Sequence, residues 1–286
     1  MTRSLPYWND APAITARAPL PNPPRKGEGA EPVVALARST KTNVPSIAFL
    51  SLLALSCGVV PAGAETVNVA VAANFTAVAE ELAALFEAEA GHELVLSFGA
   101  TGQLYAQISQ AAPFDVFLAA DTERPEKAIA EGLAVAESFF VYAEGRLALY
   151  GPGRDLGDGE AALRGDFEKL AIADPDAAPY GLAAVETLNA LGLYDAIAAK
   201  LVTGANISQT LQFVESGNAE LGFVAASQVL GKGDIWLVPA TLHAPIAQGA
   251  VLLHQGADNP AALAFLDFLQ SDAAVAVIEA AGYSVP

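Results

Sequence analysis

VNVAVAANFTAVAEELAALFEAEA, residues 67–90, changes its hydrophobic period with no loop between its two halves. Val67, Val69 and Val71 alternate with Asn68 and Ala70, which predicts a strand. Phe75, Val78, Leu82 and Leu85 then share one face of a predicted helix, and Gly91 stops it. At the junction, Ala73-Asn74-Phe75-Thr76 places Asn74 as the expected N-cap. A strand running straight into a helix leaves backbone N–H groups unpaired at the positive end of the helix dipole. Such an end accepts an anion. Most capped helix starts meet only water, so the case for a ligand rests on recurrence.

The device does recur. Glu93–Phe98 reads as a second strand, followed by Gly99-Ala100-Thr101-Gly102 with Thr101 as the expected N-cap and Leu104, Tyr105 and Ile108 on a helical face. Residues 114–121, FDVFLAAD, read as a short apolar strand of the kind buried on both faces of a parallel sheet, and a helix follows over 123–131. Strands alternating with helices at these lengths predict an α/β doubly wound fold.

Two apolar runs, 139–142 and 147–150, flank Ala143-Glu144-Gly145-Arg146, where a crossing into a second lobe is expected near Glu144. A second α/β series follows, with strands at 170–173, 221–224 and 234–237 and helices at 180–191, 194–200 and 207–216. A return near Leu242, a strand at 250–253 and helices at 260–269 and 273–281 complete the first lobe. The expected organisation is lobe I over 65–143 and 242–286, lobe II over 144–241, and a removed N-terminal extension and signal over 1–64. Two α/β lobes joined by two crossover strands make a hinged clamshell, with its cleft between the lobes.

Lobe II repeats the junction twice. Asp174-Pro175-Asp176-Ala177-Ala178-Pro179-Tyr180-Gly181 leads into a helix, with Pro179 near the first turn, where a missing N–H costs nothing. Gly204-Ala205-Asn206-Ile207-Ser208 leads into another, with Asn206 as cap and Ile207, Leu211 and Val214 facing the core. None of the four junctions carries Lys or Arg, so an anion held there is held by neutral dipoles.

Composition narrows the class. Apolar residues at 53% against 16% charged exclude a disordered chain, and 286 residues suffice for two cores. A basic, Pro-rich head, an apolar run over 44–60 and the small residues Ala62-Gly63-Ala64 predict a secretory signal cut after Ala64. Lipid modification at Cys57 is the weaker reading, because Leu53-Ala54-Leu55-Ser56-Cys57 matches a lipobox only loosely. Six of the 14 basic and three of the 32 acidic residues precede Glu65, which leaves 8 against 29 and a formal charge of −21. Nucleic acid and anionic membrane are poor partners for such a protein. His92, His243 and His254 are widely spaced, and no H-x-x-x-H or C-x-x-C pair suggests a resident metal. Phosphate-loop, dinucleotide and G-x-S-x-G patterns are missing as well, which disfavours an enzyme.

VAANFT (71–76), SFGATGQL (97–104), FDVFLAAD (114–121), IADPDAAPYG (172–181) and LGFVAASQV (221–229) resemble, in this order and spacing, the periplasmic molybdate-binding proteins of ABC importers. The resemblance covers residues 65–286. It implies a two-lobe periplasmic-binding-protein clamshell that binds molybdate or tungstate as the intact dianion and passes it to a membrane-embedded permease. It also implies a periplasmic, monomeric protein with no cofactor beyond that ligand. Carried across position by position, it assigns ligand contacts to Ala73, Asn74, Thr101, Tyr180 and Ile207. Ala73 and Ile207 would act through backbone N–H, and Asn74 through its N–H or its amide. Thr101 stands where relatives commonly have Ser. Ala225 stands where some relatives have Tyr, so Tyr180 is expected to supply the phenol instead. Rival readings are a binder of sulfate or phosphate and, further off, a secreted two-lobe enzyme.

Overall fold

The alternation that begins at Val67 is realised in a computed structural model that describes residues 63–286. The expected signal, its cleavage region up to residue 62 and Cys57 lie outside the described residues. The first series comprises β1 (Thr66–Ala72), α1 (Thr76–Ala90), β2 (Glu93–Gly99), α2 (Thr101–Ile108), β3 (Val116–Leu118), α3 (Glu123–Ala130) and β4 (Phe140–Gly145). The second comprises β5 (Leu147–Tyr150), α4 (Gly159–Arg164), β6 (Leu170–Ala173), α5 (Pro179–Ala190), α6 (Tyr194–Ile197), β7 (Leu201–Gly204), α7 (Ile207–Glu215), β8 (Leu221–Ala225) and β9 (Ile235–Leu237). The chain then returns with β10 (Ile246–Leu252), α8 (Pro260–Leu269) and α9 (Asp272–Ala280).

These strands form two five-stranded sheets, in the orders β2-β1-β3-β10-β4 and β7-β6-β8-β5-β9. In each, three strands are parallel and the two contributed by the crossing segments run antiparallel to their neighbours. The chain leaves the first sheet after Gly145 and enters the second at Leu147. It comes back between Leu237 and Ile246.

The apolar character of β1 follows from burial on both faces. Val67, Val69 and Val71 pack with Val78, Leu82, Phe86, Phe265 and Ile278 on one side, while Ala70 joins Leu104, Ile108, Phe117 and Val251 on the other. The second sheet is sandwiched likewise, with Leu149, Ile172 and Phe223 on one face and Ala148, Ala171 and Val224 on the other.

Several details differ from the sequence reading. Leu85 is 41% exposed, and Phe86 takes the core position instead, because α1 buries an i, i+4 ridge of Val78, Leu82 and Phe86. The third strand is confined to residues 116–118, since Asp115 turns its carboxylate back to the Asn68 N–H at 2.7 Å. β4 extends to Gly145 because it pairs with β10 across a bulge at Gln248/Gly249. Finally, β7 and α4 are additional elements. β7 is a four-residue strand too short to show a period, and α4 begins at a glycine whose Cβ would overlap the Trp236 ring at 2.0 Å. Gly91 does end α1 in the left-handed region, at φ 71°, with its N–H on the Glu87 carbonyl.

Candidate functional site

The carboxyl ends of parallel strands from both sheets face one another, and the helix starts that follow them converge there. β1 gives way to a short 3-10 turn (Ala73–Phe75), β2 to α2, β6 to the loop before α5, and β7 to α7. Twelve residues from these junctions and the end of β3 line one small cavity. Ala73, Asn74, Thr101, Tyr180 and Ile207 are all among them, as are Ala100, Ala120, Ala178 and Asn206. None of the lining side chains is charged. A larger groove lies behind the crossing, lined by Glu144, Arg146 and His243, but no α-helix starts in it.

Thr101 is not the N-cap of α2. That position belongs to Ala100, and Thr101 is the first helical residue, 1% exposed. Its Oγ1 accepts the Ala120 N–H at 3.1 Å. With that lone pair used, the hydroxyl proton is free to point into the cavity.

Asn74 does not cap α1 either. Its amide nitrogen donates to Gln248 Oε1 at 2.9 Å and to the Tyr283 hydroxyl at 3.1 Å. Both amide hydrogens are thus committed behind the cavity wall, which leaves the backbone N–H as the group Asn74 offers to a ligand. Ala73 and Asn74 open the 3-10 turn, so their N–H groups have no partner from the preceding turn. The Ala73 carbonyl faces the other sheet and accepts the Ser208 hydroxyl at 3.0 Å.

Asn206 is a true cap: its side chain accepts the Gln209 N–H at 2.9 Å, and Gln209 Oε1 reaches back to the Ala205 N–H. That satisfies the third residue of α7 and leaves the N–H of Ile207 at the cavity. Tyr180, second in α5 after Pro179, is fully buried and directs its hydroxyl between the sheets. There Gln248 Nε2 donates to it at 3.4 Å.

Behind the cavity lies a polar network that the sequence reading did not anticipate. Gln248 Oε1 also accepts from Tyr142 at 3.0 Å; Tyr283 donates to the Asn74 carbonyl at 2.9 Å and accepts from Ser227 at 2.9 Å. Burial drives the phenol pKa values of Tyr142 and Tyr180 well above the ordinary range, and that of Tyr283 up as well. All three hydroxyls therefore hold their protons at neutral pH. The available signal in the sequence was Gln248 itself, a polar residue in the otherwise apolar strand IAQGAVL.

Further contacts join the two sheets at the rim. The Gly102 N–H donates to the Ala177 carbonyl at 2.8 Å, and Gln103 reaches the Ala205 carbonyl at 3.4 Å. Arg124 pairs with Asp121 at 2.5 Å and donates to the Asp176 carbonyl at 2.9 Å. Burial raises the Asp121 pKa, with Arg124 opposing the shift. At the crossing, a Cβ on Gly145 would lie 2.0 Å from the Tyr180 hydroxyl. Only glycine lets the strand pass there. Among the described residues, no group of three or more His, Cys, Asp or Glu side chains forms a metal centre.

The arrangement can do one thing well: surround a small anion with neutral donors contributed by both sheets. Comparison with known proteins places it. Residues 67–284 match the family described as bacterial extracellular solute-binding protein. The chain is 51% identical over 236 residues to the molybdate-binding protein ModA of Rhodobacter capsulatus, covering 81% of this chain and 93% of that protein. It is 49% identical to the molybdate-binding protein ModA of Azotobacter vinelandii, over 82% of this chain and 96% of that one. The solved periplasmic molybdate-binding protein of Azotobacter vinelandii superposes with a TM-score of 0.73 at 38% identity, over 77% of this chain and 99% of the other.

Proposed function

Because the chain belongs to the bacterial extracellular solute-binding protein family, we propose that it captures molybdate or tungstate and delivers it to an ABC permease. One observation carries this reading: four strand-to-helix junctions from two sheets meet at one uncharged cavity, with the Thr101 and Tyr180 hydroxyls among its donors. The ion is held as the intact oxyanion by the backbone N–H groups of Ala73, Asn74 and Ile207 and by those two hydroxyls. No other cofactor takes part.

The two sheets act as lobes, 65–143 with 242–286 and 144–241, that close on the ion about the crossings near Gly145 and Leu242. The protein works as a periplasmic monomer once its signal over 1–64 has been removed. Its mature charge of −21 keeps it from nucleic acid and anionic lipid.

Selectivity follows from size and from proton inventory. Sulfate has the same charge and shape but shorter bonds, so donors spaced for the larger ion would hold it by stretched hydrogen bonds. Monohydrogen phosphate brings a proton that needs an acceptor, and no carboxylate lines the cavity to take it. Calorimetric titration of the purified protein with molybdate, tungstate, sulfate and phosphate tests the proposal. Tight binding of the first two alone is expected. Phosphate binding as tight as molybdate binding, or no heat with any of the four, overturns it.

A further inference from the structure

We infer that Gln248 is a positioning residue that aims the Tyr180 hydroxyl proton into the cavity, and thereby sets the donor strength of the site without touching the ligand. The inference rests on the oxyanion reading given above. It starts from a count of protons and lone pairs. Gln248 is fully buried on β10, beside the bulge, and its carbonyl accepts two donors, Asn74 Nδ2 and the Tyr142 hydroxyl. A carbonyl oxygen has two lone pairs, so it is full. Those two donors fix which end of the amide faces them, and the NH₂ end is left toward Tyr180.

Tyr180 therefore accepts from Gln248 and has a proton to place. The neighbouring Tyr283 is near enough to interact with that phenol, but it competes poorly for the proton: its oxygen already accepts from Asn74 and Ser227, and its own proton goes to the Asn74 carbonyl. The remaining direction is the cavity that Tyr180 lines. The opposite amide orientation would present the Gln248 carbonyl to Tyr180 and consume that proton. It would also make the Tyr283 proton serve both the Asn74 side chain and the Asn74 carbonyl. A polar side chain 68 residues away in sequence thus determines whether the phenol is a donor or a spectator.

The titratable groups facing Gln248 are the phenols of Tyr142 from β4, Tyr180 from α5 and Tyr283 after α9, with the Asp121 carboxylate acting on Tyr142 from further off. Burial raises all three phenols, so they stay protonated between about pH 6 and 9. A wild-type affinity for molybdate that is flat over that window is therefore expected.

The test is a double-mutant cycle by calorimetric titration with molybdate, using Gln248→Met and Tyr180→Phe. Met keeps the volume; Tyr142 retains the Ala119 carbonyl at 3.2 Å as acceptor, and Asn74 keeps its bond to Tyr283 while losing one partner for its amide. Each single variant should bind about tenfold more weakly, and the double variant no more weakly than Tyr180→Phe alone. Additive losses, or unchanged affinity in Gln248→Met, overturn the inference.

If Gln248→Met does not fold, Gln248→Glu decides instead. Its neutral carboxyl can still donate to Tyr180, whereas its carboxylate takes the phenol proton. Molybdate affinity should therefore fall as the pH rises, and the slope should shrink in a Tyr180→Phe background to what charge repulsion alone gives. Equal slopes in the two backgrounds overturn the role assigned to Gln248. Failure of the wild-type protein to bind molybdate overturns the oxyanion reading itself, before any variant is compared.

Discussion

Helix starts that face the cavity differ from those that do not. Away from it, α3, α4, α8 and α9 have a first-turn N–H satisfied by a side chain: Asp121, Asp158, Asn259 and Ser271 respectively. At the cavity, the residues in the capping position are Ala72, Ala100 and Ala178, and only α7 has a side-chain cap. A Ser, Thr, Asp or Asn at such a position stabilises a helix by about 1 kcal/mol relative to Ala. Three such contributions are forgone where the ligand is proposed to sit. The one-turn α6 also has no cap but lies elsewhere, so a bare start alone does not mark the cavity. The difference supports the proposal that N–H groups such as those of Ala73 and Asn74 are left for an outside acceptor at the expense of helix stability, although that of Gly102 is taken by the Ala177 carbonyl.

The largest test of this contrast is to close an open start. Ala100→Asp would place a carboxylate at the N-cap of α2 and inside the cavity. Molybdate affinity should fall by several kcal/mol, about a thousandfold or more, while the melting temperature of the ligand-free protein rises. Retained affinity would show that the open N–H groups at α2 are not the binding groups. Next in size, Thr101→Val removes the one side-chain donor of that start. A loss of about 1.5–3 kcal/mol in binding, larger than the loss in folding stability, is expected from titration and denaturant unfolding run side by side.

Capped starts provide the reverse case. Ser271→Ala should cost about 1 kcal/mol of stability with molybdate affinity unchanged, because α9 lies outside the cavity. Asn206→Ala should cost a similar amount of stability, with a modest loss of affinity as the first turn of α7 loosens. An affinity loss in Ser271→Ala equal to that in Asn206→Ala would erase the contrast. The smallest effect is on rate. With neutral donors and a formal −21 beyond Ala64, association should quicken as inert salt screens the repulsion, over a Debye length of about 10 Å at 0.1 M. Stopped-flow traces that slow steadily with salt would point to a cationic site.

Much of this architecture was legible because strands buried on both faces, such as β1, have to be apolar, and because glycine ends α1. The four junctions could be read from the switch of period, and the structure gathers all five named residues at one cavity. The roles of two side chains were not legible. Asn74 and Thr101 have cap chemistry at cap-like places, but a residue's position within the first turn depends on backbone angles that composition does not set. Asn74 turns to Gln248, 174 residues away, and Thr101 accepts from Ala120 across the sheet. Neither partner is signalled by any local pattern. The Gln248 network was hidden for the same reason: it is assembled from β4, α5, β10 and the C-terminal segment, each contributing a single polar atom group to an apolar stretch.

Gly145 carries a consequence of another kind. It sits where the chain passes between sheets, and a methyl group there would meet the Tyr180 hydroxyl at 2.0 Å and the Gln248 amide at 2.8 Å. Apparent dissociation constants scale inversely with the fraction of molecules able to adopt the binding geometry. A side chain that let only one molecule in a hundred adopt it would weaken capture by about a hundredfold through population alone, on top of any displacement of the Tyr180 hydroxyl itself. Under the proposed closure, affinity depends partly on occupancy statistics set at a position outside the cavity lining, and what sets them is one missing carbon.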